Sequence, residues 1–383
     1  MKTVPSSRMQ PLRVCLGSDY YNGRQLYNGL CYEACVAMAA MTGATVIAPE
    51  SVPENLAGRM VSLAQRSLTG LPRHNARPQS VTDQYDLFFY VAMQPHNLLY
   101  LKAMQGWREQ SRKAVAFLFE TWSSQAHRDR HYLRLLDQFD HVFLFNPNSV
   151  AEVQKHTSTP CSYLPAGVDV LFATPYPNPM ARSIDVYGMG RTVETVHEQL
   201  IELTQQRKLL YVWDRGPGQA VTGFWQARLR TYHLIRNSRM FTSFNFRNAN
   251  KKGEEGRPEE AIPARVFEGT AAGSILIGSA PRVPEFERLF DWPDALIEIP
   301  MNPVDMAGFY AELQAQPERL RRASIINAAQ ALRRHDWSYR LEDILRAVDL
   351  PVPAGVQERK LKLAGLADLA ESQLGLSVVA ARA

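Results

Sequence analysis

Short, nearly unbroken apolar runs, separated by polar loops and by longer stretches of mixed polarity, dominate the first 170 or so residues. Six read as strands: "LRVCLG" (12–17), "ATVIAP" (44–49), "YDLFFYV" (85–91), "AVAFLFE" (114–120), "HVFLFN" (141–146) and "CSYLPAG" (161–167). A run without alternation is what a strand covered on both faces requires, so the pattern predicts a parallel sheet between layers of helices. Helical stretches lie between the runs. "LYNGLCYEACVAMAAMTG" (26–43) ends at Gly43, where a left-handed C-terminal residue belongs, and "SVAEVQKHT" (149–157) opens at Ser149, a natural N-cap.

The alternation stops at "FATPYPNPMARS" (172–183), whose three prolines suit a linker better than a regular element. It restarts with "IDVYGMG" (184–190), a helix over 192–206, "KLLYVWD" (208–214), a helix over 223–238, "RMFTSFNF", and "ALIEIP" (295–300), followed by two helices within 304–335. The expected architecture is α/β, with two doubly wound Rossmann-like domains facing a cleft. Their expected limits are 1–174 and 175–340, with 341–383 a helical segment folding back on the body. At 383 residues the chain is long enough for two cores.

Composition adds boundaries rather than detail. With 45% hydrophobic and 21% charged residues and no low-complexity tract, the chain is an ordinary globular one. Cys15, Cys31, Cys35 and Cys161 form no CxxC pair, which points to reduced thiols rather than a disulfide framework or a zinc site; Cys31 and Cys35, one turn apart, read as helix packing. No apolar run is long enough to span a bilayer, and "MKTVPSSRMQPLRV" lacks the core of a signal peptide. The expected location is cytoplasmic, with a place at a membrane periphery left open. The net charge of +5 is spread over several clusters and fits either solvated faces or a surface drawn to a polyanion.

Chemistry concentrates in "EEAIPARVFEGTAAGSILIG" (259–278). Pro263 suits the first turn of a helix and Gly273 its end, so the helix is expected over about 263–272, with "SILIG" as the next buried strand. Glu260 then sits in the loop at the helix's positive end and Glu268 inside the helix. A carboxylate can accept hydrogen bonds from the two adjacent hydroxyls of a ribose, while free amides and the helix dipole favour phosphate. The ligand this implies is a nucleotide sugar. The alternatives are a structural ion pair of Glu268 with Arg265 and a solvated acidic run of Glu254, Glu255, Glu259 and Glu260.

Glu260-x7-Glu268 followed by "GTAAGSILIG" resembles the donor-binding element of GT-B glycosyltransferases of the glycosyltransferase group 1 kind. The order of "YLPAGVDVLFATP", "IDVYGMGRT" and "HDWSYRLEDIL" resembles the end of that family's first domain, the opening of its second and its closing helix. The resemblance implies that Glu268 holds the donor ribose, Glu260 faces the transferred sugar, and Arg191, with Gly190 and Arg265, serves the diphosphate. Ala261 and Ile262 stand where the family often has glycines, and Val196 where it has a lysine; Arg265, His197 and Arg239 are the candidate replacement cations. Gly17, following the first strand, would let a ligand approach the backbone. Asp19, His96, Glu120 and Trp122 are acceptor-side candidates. The resemblance further implies sugar transfer with retention of configuration, no metal or other cofactor, and a nucleotide-sugar partner. The acceptor stays open among glycan, lipid, protein, small molecule and modified DNA. A nucleotide-sugar epimerase or a non-catalytic scaffold of the same fold are the competing readings.

Overall fold

A computed structural model of the chain describes residues 12–21, 25–214, 221–245 and 259–380. Its first half carries strands β1 (Val14–Ser18), β2 (Thr45–Ile47), β3 (Gln79–Ser80), β4 (Tyr85–Ala92), β5 (Met104–Gln105), β6 (Ser111–Leu118), β7 (His141–Leu144) and β8 (Cys161–Tyr163). Six of these form one parallel sheet in the order β2-β1-β4-β6-β7-β8, and β3 and β5 pair separately. The second half contributes β9 (Ile184–Met189), β10 (Tyr211–Asp214), β11 (Ser238–Ser243), β12 (Ile275–Gly278) and β13 (Ile297–Glu298), a parallel sheet ordered β10-β9-β11-β12-β13. Two doubly wound sheets of the same handed order thus stand against each other.

The unbroken apolar runs have the reason anticipated for them. Along β4, Phe88 and Tyr90 enter one apolar cluster while Leu87, Phe89 and Val91 enter another on the opposite face. In β12, Leu276 packs to one side and Ile275 and Ile277 to the other. The larger cluster runs from the first sheet through residues of the helices Ala264–Ala271, Trp337–Ala347 and Ala354–Ala380, so the domains share an apolar seam.

Connections fix how the domains meet. The chain leaves the first domain through the proline-rich segment after Ala173 and returns at His335 and Trp337, whose backbones pair with Val168. Trp337 lies across Gly167; a Cβ there would stand 2.6 Å from the indole. The C-terminal helix buries Val356, Leu363, Ala367 and Ala370, one stripe at helical spacing, and its Arg359 joins Asp169 to Asp336 at 2.6–2.8 Å.

Two local expectations change. Ser149 makes no side-chain cap; the Asn146 side chain accepts from Asn148 N instead, because a short 3-10 turn, Pro147–Ser149, precedes the helix. A helix at Leu56–Thr69 and a 3-10 helix at Pro95–Ala103 join the anticipated elements. Among the described residues no helix is long and apolar enough to cross a membrane.

Candidate functional site

Parallel sheets offer the carboxyl ends of their strands to a ligand, and here those ends border a cavity of about 290 Å³ between the domains. The first domain lines it with Tyr27, Met93, Phe119, Glu120, Trp122 and Asn146; the second with Gly190, Arg191, Arg228, the 261–265 segment and Glu268.

The cationic corner is built where β9 ends. Gly190 adopts φ +70°, a conformation that favours glycine, and turns the chain so that Arg265 can lie against it. A Cβ on Gly190 would come 2.9 Å from Arg265 Nη2. Arg265 projects from the first turn of the helix Ala264–Ala271, and its Nη1 donates to the carbonyls of Met189 (2.7 Å) and Arg191 (2.9 Å). No carboxylate pairs with it among the described residues. Burial first, and nearby Arg191 second, lower its pKa to about 10 against weaker support from Glu268 and Glu120. A desolvated cation beside a second cation, at the start of a helix, is an arrangement that favours an anion.

The opposite corner is charge-balanced. Glu268 is buried, and its Oε1 accepts from Arg228 Nη1 at 2.6 Å. Arg228 comes from the helix Phe224–Arg236 and also donates to Glu33 of the first-domain helix Gly29–Thr42, at 2.6 and 2.8 Å, and to Tyr232 Oη at 2.8 Å. Burial works against the Arg228 cation, but Glu33, Tyr232 and Glu268 together hold it well above the usual arginine range. Glu33 is raised by burial, which Arg228 only partly offsets; its Oε1 also accepts from Asp169 N at 2.8 Å. Glu268 therefore pairs with Arg228 rather than with Arg265, because Arg265 turns toward the end of β9.

Residues 184–346 match the family described as glycosyl transferase-like. An α-glucosyltransferase solved with UDP-glucose and DNA containing an abasic site shares the whole fold: TM-score 0.51 at 12% identity, covering 88% of this chain and 99% of that one. The second domain thus resembles that family, and the fold of the two facing sheets is GT-B. Weaker similarity links the chain to the pneumococcal O-GlcNAc transferase GtfA (TM-score 0.42, 11% identity, 68% of this chain). The chain spans only 56% of that enzyme's length. A Burkholderia vietnamiensis α,α-trehalose-phosphate synthase is similar at TM-score 0.49 and 12% identity over 91% of this chain and 99% of that one. No curated protein sequence matches.

Within this glycosyl transferase-like domain the anticipated residues separate. Gly190, Arg191, Arg265 and Glu268 converge on the cavity, and Glu120 and Trp122 face them from the first domain, the Trp122 Nε1 donating to Glu120 Oε2 at 3.1 Å. Glu260 is buried but is not among the lining residues. Its Oε2 accepts from Arg282 N at 2.6 Å, and its carbonyl from Asn148 Nδ2 at 3.1 Å. The residues that line the cavity beside it are Ala261 and Ile262, so this stretch of wall is apolar where a carboxylate was expected.

Other expectations are redirected by packing. His197 is buried, its Nδ1 3.0 Å from Tyr211 Oη and its ring edge-on to Trp213, away from the cavity lining. Arg239 lies near the start of β11, at the far end of the sheet, 3.5 Å from Asp185. Gly17 lies within β1, and a Cβ there would stand 2.7 Å from the Phe88 ring; the position serves core packing, not ligand approach. His96 is exposed and edge-on to Tyr132. Asp19 is wholly buried behind the cavity wall, where burial raises its pKa to about 7 against weaker support from the backbone amides of Asp19 and Met93.

Glu33 and Arg228 went unread. The signals were a lone carboxylate in "CYEAC" and the i,i+4 pair Arg228 and Tyr232, but their union depends on a contact between residues 195 positions apart.

Proposed function

We propose that the protein is a glycosyltransferase that takes its sugar from a nucleoside-diphosphate sugar held in the second-domain half of the cleft. The observation that carries this reading is Arg265, a half-buried cation without a carboxylate partner among the described residues, set beside Arg191 at the start of a helix. The diphosphate of the donor belongs there. Glu268, oriented by Arg228, grips the ribose hydroxyls. The sugar then points toward Glu120 and Trp122 across the cleft, where an acceptor hydroxyl would stand.

In the transfer step the acceptor oxygen bonds to the sugar C1, the C1–O bond to the diphosphate breaks, and the leaving phosphate oxygen takes the acceptor's proton. Same-face attack of this kind retains configuration and asks the protein mainly to stabilise the departing charge. Arg265, Arg191 and the helix start at Ala264 supply that stabilisation from fixed positions, so the reading is metal-independent. The α-glucosyltransferase sharing the fold was solved with UDP-glucose, which makes UDP the first nucleotide to try.

The test is isothermal calorimetry with UDP, other nucleoside diphosphates and their sugar conjugates on the wild type, Arg265→Met and Glu268→Gln. Selective binding that Arg265→Met weakens is expected. Failure of every nucleotide to bind would leave a non-catalytic scaffold as the better reading, and interconversion of two sugar nucleotides without an acceptor would select the epimerase.

A further inference from the structure

The helix Leu56–Thr69 is built the wrong way round for a helix on a globular protein. It buries none of its residues. Its small polar positions, Gly58, Ser62 and Gln65, are the half-buried ones, and Ser62 Oγ accepts from Arg73 N at 3.2 Å. Its apolar side chains face out: Leu56 is 79% exposed, Met60 71%, Leu63 64% and Leu68 88%. With Ala57, Val61 and Ala64 these positions form one continuous face at 100° per residue, interrupted only by Ser67. Both ends are nonetheless well made. Asn55 caps Gly58 N at 2.8 Å, and Gly70 closes the helix at φ +75°.

Helices of this length are ordinarily held by the packing of their apolar face. A well-capped helix that turns that face outward has its packing partner elsewhere. The charges around it describe that partner. Residues 56–69 contain Arg59 and Arg66 and no carboxylate. The ring of His131 abuts Gly70 at the helix's end, in the basic segment of Arg128, Arg130 and Arg134, and Arg73 follows. The nearby carboxylates are Glu54, preceding the cap, and Asp129, which pairs with Arg128 at 3.2 Å. A second copy docked about a two-fold axis would set arginines against arginines.

We propose that this helix seats the first domain on an anionic lipid surface, its apolar face in the acyl boundary and Arg59 and Arg66 among the headgroups. The inference is independent of the donor site, because none of these residues lines the cleft cavity.

Co-sedimentation of the full chain with vesicles of phosphatidylcholine alone, and with about one third phosphatidylglycerol, tests it. The wild type is expected to partition onto the anionic vesicles and to come off with salt. Met60→Glu/Leu63→Glu is expected to lower the partition coefficient by about tenfold or more, and Arg59→Glu/Arg66→Glu to remove the preference for anionic lipid. Both variants change exposed side chains, so circular dichroism and melting temperature stay at wild-type values, which excludes misfolding as the cause. Wild type remaining in the supernatant, or Met60→Glu/Leu63→Glu binding as well as wild type, overturns the proposal. So does light scattering that shows a dimer in the wild type and a monomer in that variant, since the occupant is then a second copy.

Discussion

The cleft holds a buried arginine, Arg228, and a half-buried one, Arg265, at opposite corners, and their partners differ. Arg228 sits between Glu33 and Glu268, one carboxylate from each domain, and is stabilised as a cation. Arg265 donates to backbone carbonyls and faces a second arginine, and its cation is weakened. The difference teaches how one cavity divides its labour. A cation whose charge is already balanced joins structure to structure, while one held in place by dipoles alone retains attraction for an incoming anion.

Breaking the balanced corner produces the largest effect. Arg228→Met leaves Glu33 and Glu268 buried without a counter-charge, for an expected loss of about 3–5 kcal/mol. Chemical denaturation measures it. Adding Glu33→Gln and Glu268→Gln restores most of the lost stability, because the uncompensated charges go with them. A single variant as stable as wild type would show that the triad does not hold the domains together.

A buried carboxyl without an ion-pair partner among the described residues sharpens the contrast. The Asp19 carboxyl titrates near 7 when folded against an ordinary 3.8. Between roughly pH 4 and 7 the unfolded chain releases this proton while the folded protein keeps it, so stability falls as pH rises through that window. Asp19→Asn removes this contribution and is expected to gain on the order of 2–4 kcal/mol at pH 8 relative to wild type, and little at pH 4. Paired denaturation curves at the two pH values isolate it; equal differences at both would mean that Asp19 ionises normally.

The unbalanced corner answers differently. Arg265→Met is expected to weaken UDP binding by about 1.5–3 kcal/mol, roughly ten- to a hundredfold, while the melting temperature holds or rises, because a desolvated cation is removed. If the variant loses stability and keeps its affinity, Arg265 belongs with Arg228 as a structural group.

The sequence carried this contrast only in part. Strands were readable because β4, β6 and β12 bury both faces, which writes the fold as unbroken apolar runs. Arg265 and Glu268 were readable because both lie on the one helix bracketed by Pro263 and Gly273. Arg228 and Glu33 were not, since a pair bridging two domains leaves no local spacing. His197 and Arg239 were misplaced for a related reason: position in the chain near β9 and β11 does not say which end or face of the sheet a side chain occupies. The helix at 56–69 did leave a local trace, Asn55 and Gly70 on either side of fourteen residues with a helical apolar period.

Glu259 shows the same limit and gives the smallest prediction. It stands in what reads as a solvated acidic run, yet its Oε2 and Oε1 accept from the amides of Ser123 (2.7 Å) and Ser124 (2.6 Å), at the start of the helix Ser123–Leu133 in the other domain. Trp122 occupies the N-cap position without making a side-chain cap, so a carboxylate from across the cleft supplies it. Burial raises the Glu259 pKa, the Ser124 and Ser123 hydrogen bonds outweigh it, and the folded value lies below the ordinary 4.5. The stabilisation is therefore present above that pH and lost as pH falls through the lower folded value. Glu259→Gln keeps an acceptor and loses the charge, for an expected cost of about 1 kcal/mol. Hydrogen exchange at Ser123 and Ser124 is expected to quicken about fivefold at unchanged UDP affinity. A loss of UDP affinity matching that of Arg265→Met would instead place this cap within the donor site, and the division between the joining and the binding corners would have to be redrawn.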